Sequence, residues 1–296
     1  MGKARAMSSS PASPEWDTDA VDDAAALFGV ERSRLLELLD ELLPGDWARP
    51  SPCPGWSVLD LCGHLLGDDL GWLARQRDHH HGTVPPAGVE QVDGGFARWL
   101  DDLQDQWVRA ARRLGPRVVT DLLAWSGPQV IDTLAGQDPT RLEGSVSWAG
   151  PGPVPVWLDQ LREVSEHWIH RQQLLQTLGR PSDLRVDLAG PVLDTLRWAY
   201  PHRLSAISRA DGEVVTIRVR GPVERAWHLH AQEGKWRFGP HSRHRMLALM
   251  DLTTEQAWRL LTNNLAAEES VDLHTSGDES IIEALLQTRA IIGTPK

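Results

Sequence analysis

The chain has 296 residues, 41% of them apolar, and a formal net charge of -11. That length allows about two domains with a sizeable core, and the negative balance argues against a nucleic-acid backbone as partner, leaving a small-molecule or protein ligand. No apolar run reaches the roughly 18 residues that span a bilayer, and Met1 to Pro14 lacks the apolar centre of a secretory signal, so a cytoplasmic protein without a membrane partner is expected.

Residues 1 to 16, rich in Ser, Pro and Ala, read as a mobile tail. From Asp17 to Leu43 the apolar side chains recur at helical spacing, with Gly29 as a break and Pro44-Gly45 as a stop. Ser57 is a good N-cap and Asp60 stands at the acidic third position, which predicts a helix from Val58 to Asp78 carrying His64. Helices are expected over Val89 to Leu114 and Pro116 to Leu134, a loop over Gly144 to Pro155, then helices over Val156 to Leu178 and Leu188 to Leu204. Beyond Ala210 the period changes. Val214 to Arg220 alternates as a strand, Arg225 to Ala231 and Lys235 to Phe238 form a hairpin about Glu233-Gly234, and Thr253 to Leu261 and Ser280 to Ile292 read as helices. The expected organisation is a helical domain over 17-208 and a small α/β domain over 211-296.

The helix at 156-178 holds the sharpest signal. Glu166 and His170 are four apart, offset by about 40° and about 6 Å of rise, so both can reach one ion. Two imidazoles and a carboxylate form a common catalytic zinc set with an open position, and His64 is a candidate for the third ligand. The bland alternatives are a surface ion pair for Glu166 and His170 and a hydrogen-bonded core histidine for His64. Asp68, one turn beyond His64, is positioned to accept the second N–H of that imidazole. His167 is the competing ligand on the same helix but projects about 100° away from Glu166. Gly63, Gly67 and Gly71 thin the helix beside His64, for close packing or for a ligand. Asp78-His-His-His81 reads as a solvated helix end, and Trp56, Trp72 and Trp168 are candidates to wall an apolar cavity. Cys53 and Cys62, nine apart, fit no redox or zinc-knuckle spacing, and neither is assigned a catalytic role.

Two of these segments carry a family resemblance. Trp47-Ala-Arg-Pro-Ser-Pro-Cys-Pro-Gly-Trp-Ser-Val-Leu-Asp-Leu-Cys-Gly-His64 and Glu166-His-Trp-Ile-His170-Arg resemble the metal motifs of the DinB-like, mycothiol-dependent maleylpyruvate isomerase family. Gly221-Pro-Val-Glu-Arg-Ala-Trp, Trp258-Arg-Leu-Leu-Thr and Gly277-Asp resemble its small C-terminal domain. The resemblance implies a mainly α fold, an antiparallel four-helix bundle followed by a small α/β domain. It also implies one divalent metal, usually zinc, on His64, Glu166 and His170, with mycothiol as thiol cosubstrate.

A metal-held thiol with a lowered pKa is a nucleophile for S-transfer to, or isomerisation of, a small electrophile. The expected site therefore comprises the metal set with Asp68 and Arg75 at the chemistry, and Trp56, Trp168 and Arg225 toward the cofactor. One departure stands out. Where the family has a Gly-Arg pair whose arginine serves the substrate carboxylate, this chain has Asn263-Asn264, and Arg75, Arg225 or Arg259 would have to compensate. Two other readings stay open: a thiol-independent, metal-activated hydrolase or lyase, and a non-catalytic DinB-like binding or stress protein.

Overall fold

The computed structural model describes residues 16, 22–82, 84–89, 94–242, 245–266 and 273–291. Of the expected tail, all but Trp16 lies outside these residues. Helix α1 (Ala24–Asp40) starts at Asp23, whose carboxylate accepts the Ala26 N–H. It runs straight through Gly29, so the expected break does not occur. One glycine costs about 1 kcal/mol in a helix, less than the burial of Phe28, Leu35, Leu38 and Leu39 on the same helix returns.

Helix α2 (Val58–Trp72) opens on the predicted reciprocal cap of Ser57 and Asp60. It closes in a π turn, Leu73–Arg77, in which the Asp78 N–H reaches the Leu73 carbonyl. Helix α3 (Gly95–Ala111) is shorter than the periodicity predicts, while α4 (Pro116–Ala135) and α5 (Val156–Thr177) match it within two residues. The single helix expected over 188–204 is two, α6 (Val186–Leu196) and α7 (Ala199–Leu204). Pro201 gives the reason. In a continuous helix its ring would meet the Arg197 carbonyl, whereas a restart after Trp198 puts it in a first turn, where no N–H is needed.

In the bundle, α1 and α2 each pack against α4 and α5, and α3 lies on the outside of α2. The apolar filling divides in two. Toward one end Leu35, Leu38, Leu61, Leu65, Leu123 and Leu174 interlock; toward the other Phe28, Trp72, Val130, Val164 and Trp168 join a core that continues into the sheet region. Between them every bundle helix contributes buried polar side chains. Arg32 of α1 donates to both Asp69 oxygens of α2 at 2.7 Å and to the Leu123 carbonyl at 2.6 Å, and Ser126 of α4 donates to Asp69. Arg171 of α5 pairs with Glu31 at 2.6 and 2.8 Å and with Asp183 at 3.0 Å. A Cβ at Gly127 would lie 2.9 Å from the Arg32 stem, so that glycine lets the arginine lie flat between α1 and α4.

Strands β1 (Val214–Arg220), β2 (Arg225–Gln232), β3 (Lys235–Gly239), β4 (Met246–Thr253) and β5 (His274–Gly277) form one sheet in the order β3-β2-β1-β4-β5. Among the described residues only the β1 and β4 pairing is parallel. The hairpin turns at Glu233-Gly234, both with positive φ, as predicted. Strand β4, between parallel β1 and antiparallel β5, alternates in burial from Ala248 on, but its nearly continuous apolar run hides this in the residue types, and β5 is a short edge. Helix α8 (Thr254–Leu261) is capped by Thr253 and Gln256. Helix α9 (Glu279–Leu286) stops earlier than predicted, where Arg289 donates to the Leu286 and Thr288 carbonyls. No helix among the described residues is long and apolar enough to cross a membrane.

Candidate metal centre

Helices α2 and α5 bring His64, Glu166 and His170 together at the level of the polar layer, with one donor atom from each within 4.8 Å of the others. The Nε2 atoms of His64 and His170 face each other at 3.1 Å. Glu166 Oε1 lies 3.0 Å from the His170 nitrogen and 3.6 Å from that of His64.

The far side of each ring is held as well. His170 Nδ1 is 2.7 Å from Gln173 Oε1, and His64 Nδ1 is 3.3 Å from Gln104 Oε1 on α3. A carbonyl oxygen accepts, so each Nδ1 carries its hydrogen and each Nε2 turns a lone pair to the common point. Two such lone pairs and a carboxylate oxygen repel one another unless a cation lies among them, and a divalent ion fits that donor set. In the metal-free protein a proton serves. Burial works against charge at both groups, yet the contacts with Cys53 and Glu166 hold His170 well above its ordinary range, and the two imidazoles hold Glu166 well below its own.

Asp68 is displaced from its expected place. The second N–H of His64 is taken by Gln104, and Asp68 Oδ2 lies 3.1 Å from Nε2, on the donor side. That oxygen is buried without a hydrogen-bond partner, while Oδ1 accepts from Gln104 at 3.3 Å. Burial, with the charges of Glu163 and Glu166, raises the Asp68 carboxyl.

Trp56 stands beside His64, ring centres 5.0 Å apart, and is fixed by a 2.9 Å bond to Asp105. Trp168 does not join it. Two residues past Glu166, it points to the opposite side of α5, fully buried edge-on to Trp258. Trp72 is likewise core. Arg225 is also removed from the site: its guanidinium bonds Asp194 at 2.8 Å and lies against Gly190 of α6. Arg75 is exposed on the π turn over Gly71, eleven residues and roughly 16 Å of helix beyond His64. Arg259 is occupied at the end of α8, where Nε donates to the Asn264 carbonyl at 3.1 Å. His167 turns away into the polar layer beside Phe28 and Asp69, and His79 to His81 are exposed at the helix end, both as predicted.

Sequence reasoning missed Gln104, Gln173 and Cys53. The Cys53 thiol donates to Gln173 Oε1 at 3.3 Å, and Gln173 Nε2 donates to Asn264 Oδ1 at 2.9 Å. Gln173 carried a usable signal, three residues after His170 on the same helix face; Gln104 and Cys53 come from elements whose placement only the fold supplies. Gly63 and Gly67 of α2 serve packing. A Cβ on Gly67 would meet the Trp107 ring at 2.4 Å, and that indole donates to the Gly63 carbonyl at 2.7 Å.

Fold and site together define a class: an antiparallel four-helix bundle with a His, Glu, His donor set between two helices, followed by a small mixed sheet. The model of the mycothiol maleylpyruvate isomerase N-terminal domain matches residues 28–175, and the chain belongs to that family. An uncharacterized protein of Mycobacterium tuberculosis, present in strains CDC 1551 and H37Rv, is 26% identical over 197 residues, covering 65% of this chain and 71% of the relative. Among solved structures, the crystal structure of the mycothiol-dependent maleylpyruvate isomerase superposes with a TM-score of 0.53 at 14% identity, over 87% of this chain and 93% of that one. A histidine-to-alanine variant of that enzyme superposes with the same score at 12% identity. At these identities the likeness is one of fold.

Proposed function

We propose that this chain is an enzyme that holds one divalent metal ion, zinc by its donor set, on His64, Glu166 and His170, and activates a low-molecular-weight thiol, mycothiol, toward a small electrophile. The observation that carries this reading is the convergence of two imidazole lone pairs and a carboxylate oxygen on one point, with both rings fixed from behind by glutamine carbonyls. A metal ion bound there supplies positive charge that keeps a thiol ionised near neutral pH.

The protein's own groups define the surroundings. Trp56 gives an aromatic wall beside His64, and Asp68 adds a second carboxylate oxygen on the donor side. A thiolate that adds to an activated double bond leaves a carbanion; rotation followed by elimination of the thiolate isomerises the substrate, whereas protonation of the carbanion from solvent leaves an S-conjugate.

The electrophile is expected to differ from a dicarboxylate such as maleylpyruvate. At the position where the family resemblance leads one to expect a guanidinium, Asn264 presents an amide that is already bonded to Gln173 and Thr262. None of Arg75, Arg225 and Arg259 stands in for it.

The test is mass spectrometry of the purified protein incubated with mycothiol and a panel of neutral and carboxylated electrophiles. Thiol-dependent isomers or S-conjugates, preferentially from neutral electrophiles, are expected. Turnover that proceeds without any thiol would reassign the chain as a metal-activated hydrolase or lyase, and absence of turnover across the panel would favour a binding protein.

A further inference from the structure

We propose, building on the metal-centred reading of the triad, that Asn264 and Gln173 are positioning residues that set the tautomer of His170 from the end of helix α8. The geometry is a chain of hydrogen bonds in which each link fixes the direction of the next.

It begins at Thr262. The Thr262 hydroxyl donates its hydrogen to the Trp258 carbonyl at 2.7 Å, so toward Asn264 it can only accept, as can the Thr262 carbonyl. Asn264 Nδ2 meets both, at 2.8 and 2.9 Å. The amide of Asn264 therefore has one permitted orientation, with Oδ1 turned toward α5. Its backbone is equally constrained: the Asn264 N–H donates to the Arg259 carbonyl at 2.7 Å, and its own carbonyl accepts from Arg259 Nε at 3.1 Å. Asn263, just before it, takes the left-handed conformation that asparagine tolerates and that turns the chain back.

Asn264 Oδ1 then dictates Gln173. Facing an acceptor at 2.9 Å, Gln173 must present Nε2, which leaves Oε1 on the opposite side, 2.7 Å from His170 Nδ1. The Cys53 thiol donates to the same oxygen at 3.3 Å. His170 must answer with an Nδ1–H, and its Nε2 is left with a lone pair toward Glu166 and His64. Turning Gln173 over would set its Oε1 against Asn264 Oδ1, and turning Asn264 over would set its Oδ1 against the Thr262 carbonyl, so neither amide turns over.

The experiment uses the full-length protein and zinc ion alone. Long-range proton–nitrogen correlations of the imidazoles, recorded without metal at alkaline pH where the rings are neutral, read the tautomer. Zinc affinity is read by competition with a chelating dye. In the wild type His170 is expected as the Nδ1–H form. Asn264→Leu should give a mixture of tautomers and zinc affinity lower by about 10–100-fold, the range for partners that orient a ligating histidine. Gln173→Leu, which leaves Asn264 and its bonds to Thr262 in place, should do the same, which guards against a folding defect in the first variant.

Gln173→Glu placed on Asn264→Leu should restore both readouts, since a carboxylate accepts from His170 without needing Asn264 to orient it. Retention of the pure Nδ1–H ring and of wild-type zinc affinity in Asn264→Leu would overturn the relay. If the wild type binds no zinc, the metal reading fails on its own, and the ring spectra still decide the relay.

Discussion

His64 Nε2 lies 3.1 Å from His170 Nε2, although 106 residues separate the two along the chain. That approach has a direct consequence for composition. Elemental analysis should find about one zinc per chain, and His64→Ala and His170→Ala should each lose most of it. Chelation should lower the melting temperature, because an ion present at one hundred times its dissociation constant contributes about 2.7 kcal/mol to the folded state. Full metal content in both variants would refute the assignment.

Gly67→Ala should destabilise the protein by about 1–3 kcal/mol, the cost of overpacking, even though alanine gains about 1 kcal/mol in helix propensity. The added methyl group would enter the ring of Trp107, which its bond to Gly63 keeps from swinging aside. Urea denaturation measures the balance. A net gain in stability would mean that α3 can move away from α2 at little cost.

Arg32→Met should cost about 3–5 kcal/mol, because it leaves Asp69 charged and buried with its main partner gone. Adding Asp69→Leu should recover a substantial part of that loss, since it removes the orphaned charge. Denaturant midpoints of the two variants decide the point; a double variant that is weaker than Arg32→Met by the full cost of a second independent lesion would contradict the pairing.

Asp183 predicts an acid limb. Burial pushes its carboxyl up, but Arg185, Arg171 and Arg34 more than offset this and bring it from an ordinary 3.8 to about 2. The folded state therefore binds fewer protons than the unfolded state between these values, so the stabilisation is complete above about pH 4 and lost as pH falls through about 2. Asp183→Asn should lower stability at neutral pH, with the gap to wild type closing in that window. A gap that stays constant from pH 6 to pH 2 would exclude this role.

Much of the bundle was legible because its determinants are local. Ser57 and Asp60 announce the start of α2, Pro116 the start of α4, and the spacing of Glu166 and His170 their common helix face. The sheet was half legible: the residue types of β1, β2 and β3 alternate and turn at Glu233-Gly234, whereas β4 is a nearly continuous apolar run whose alternating burial its residue types do not show. Within the site, the three donors stood out by residue type, but the groups that orient them did not. Gln104 and Asn264 look like ordinary polar residues until α3 and the end of α8 are set against the bundle. Trp168 and Arg225 lie away from the three donors, against Trp258 and Asp194, because position along the chain does not tell which side of a helix or sheet a residue faces.

The polar layer bears on how the helices can slide. A purely apolar seam between helices tolerates displacement by one turn, about 5.4 Å, because one leucine replaces another. Here such a shift would part Arg32 from Asp69 and Arg171 from Glu31, stranding charges between two greasy blocks, so only one axial alignment is cheap. The same alignment puts His64 of α2 level with Glu166 and His170 of α5. The buried ion pairs thus act as a vernier for the bundle, fixing the height at which two helices present their nitrogens to each other.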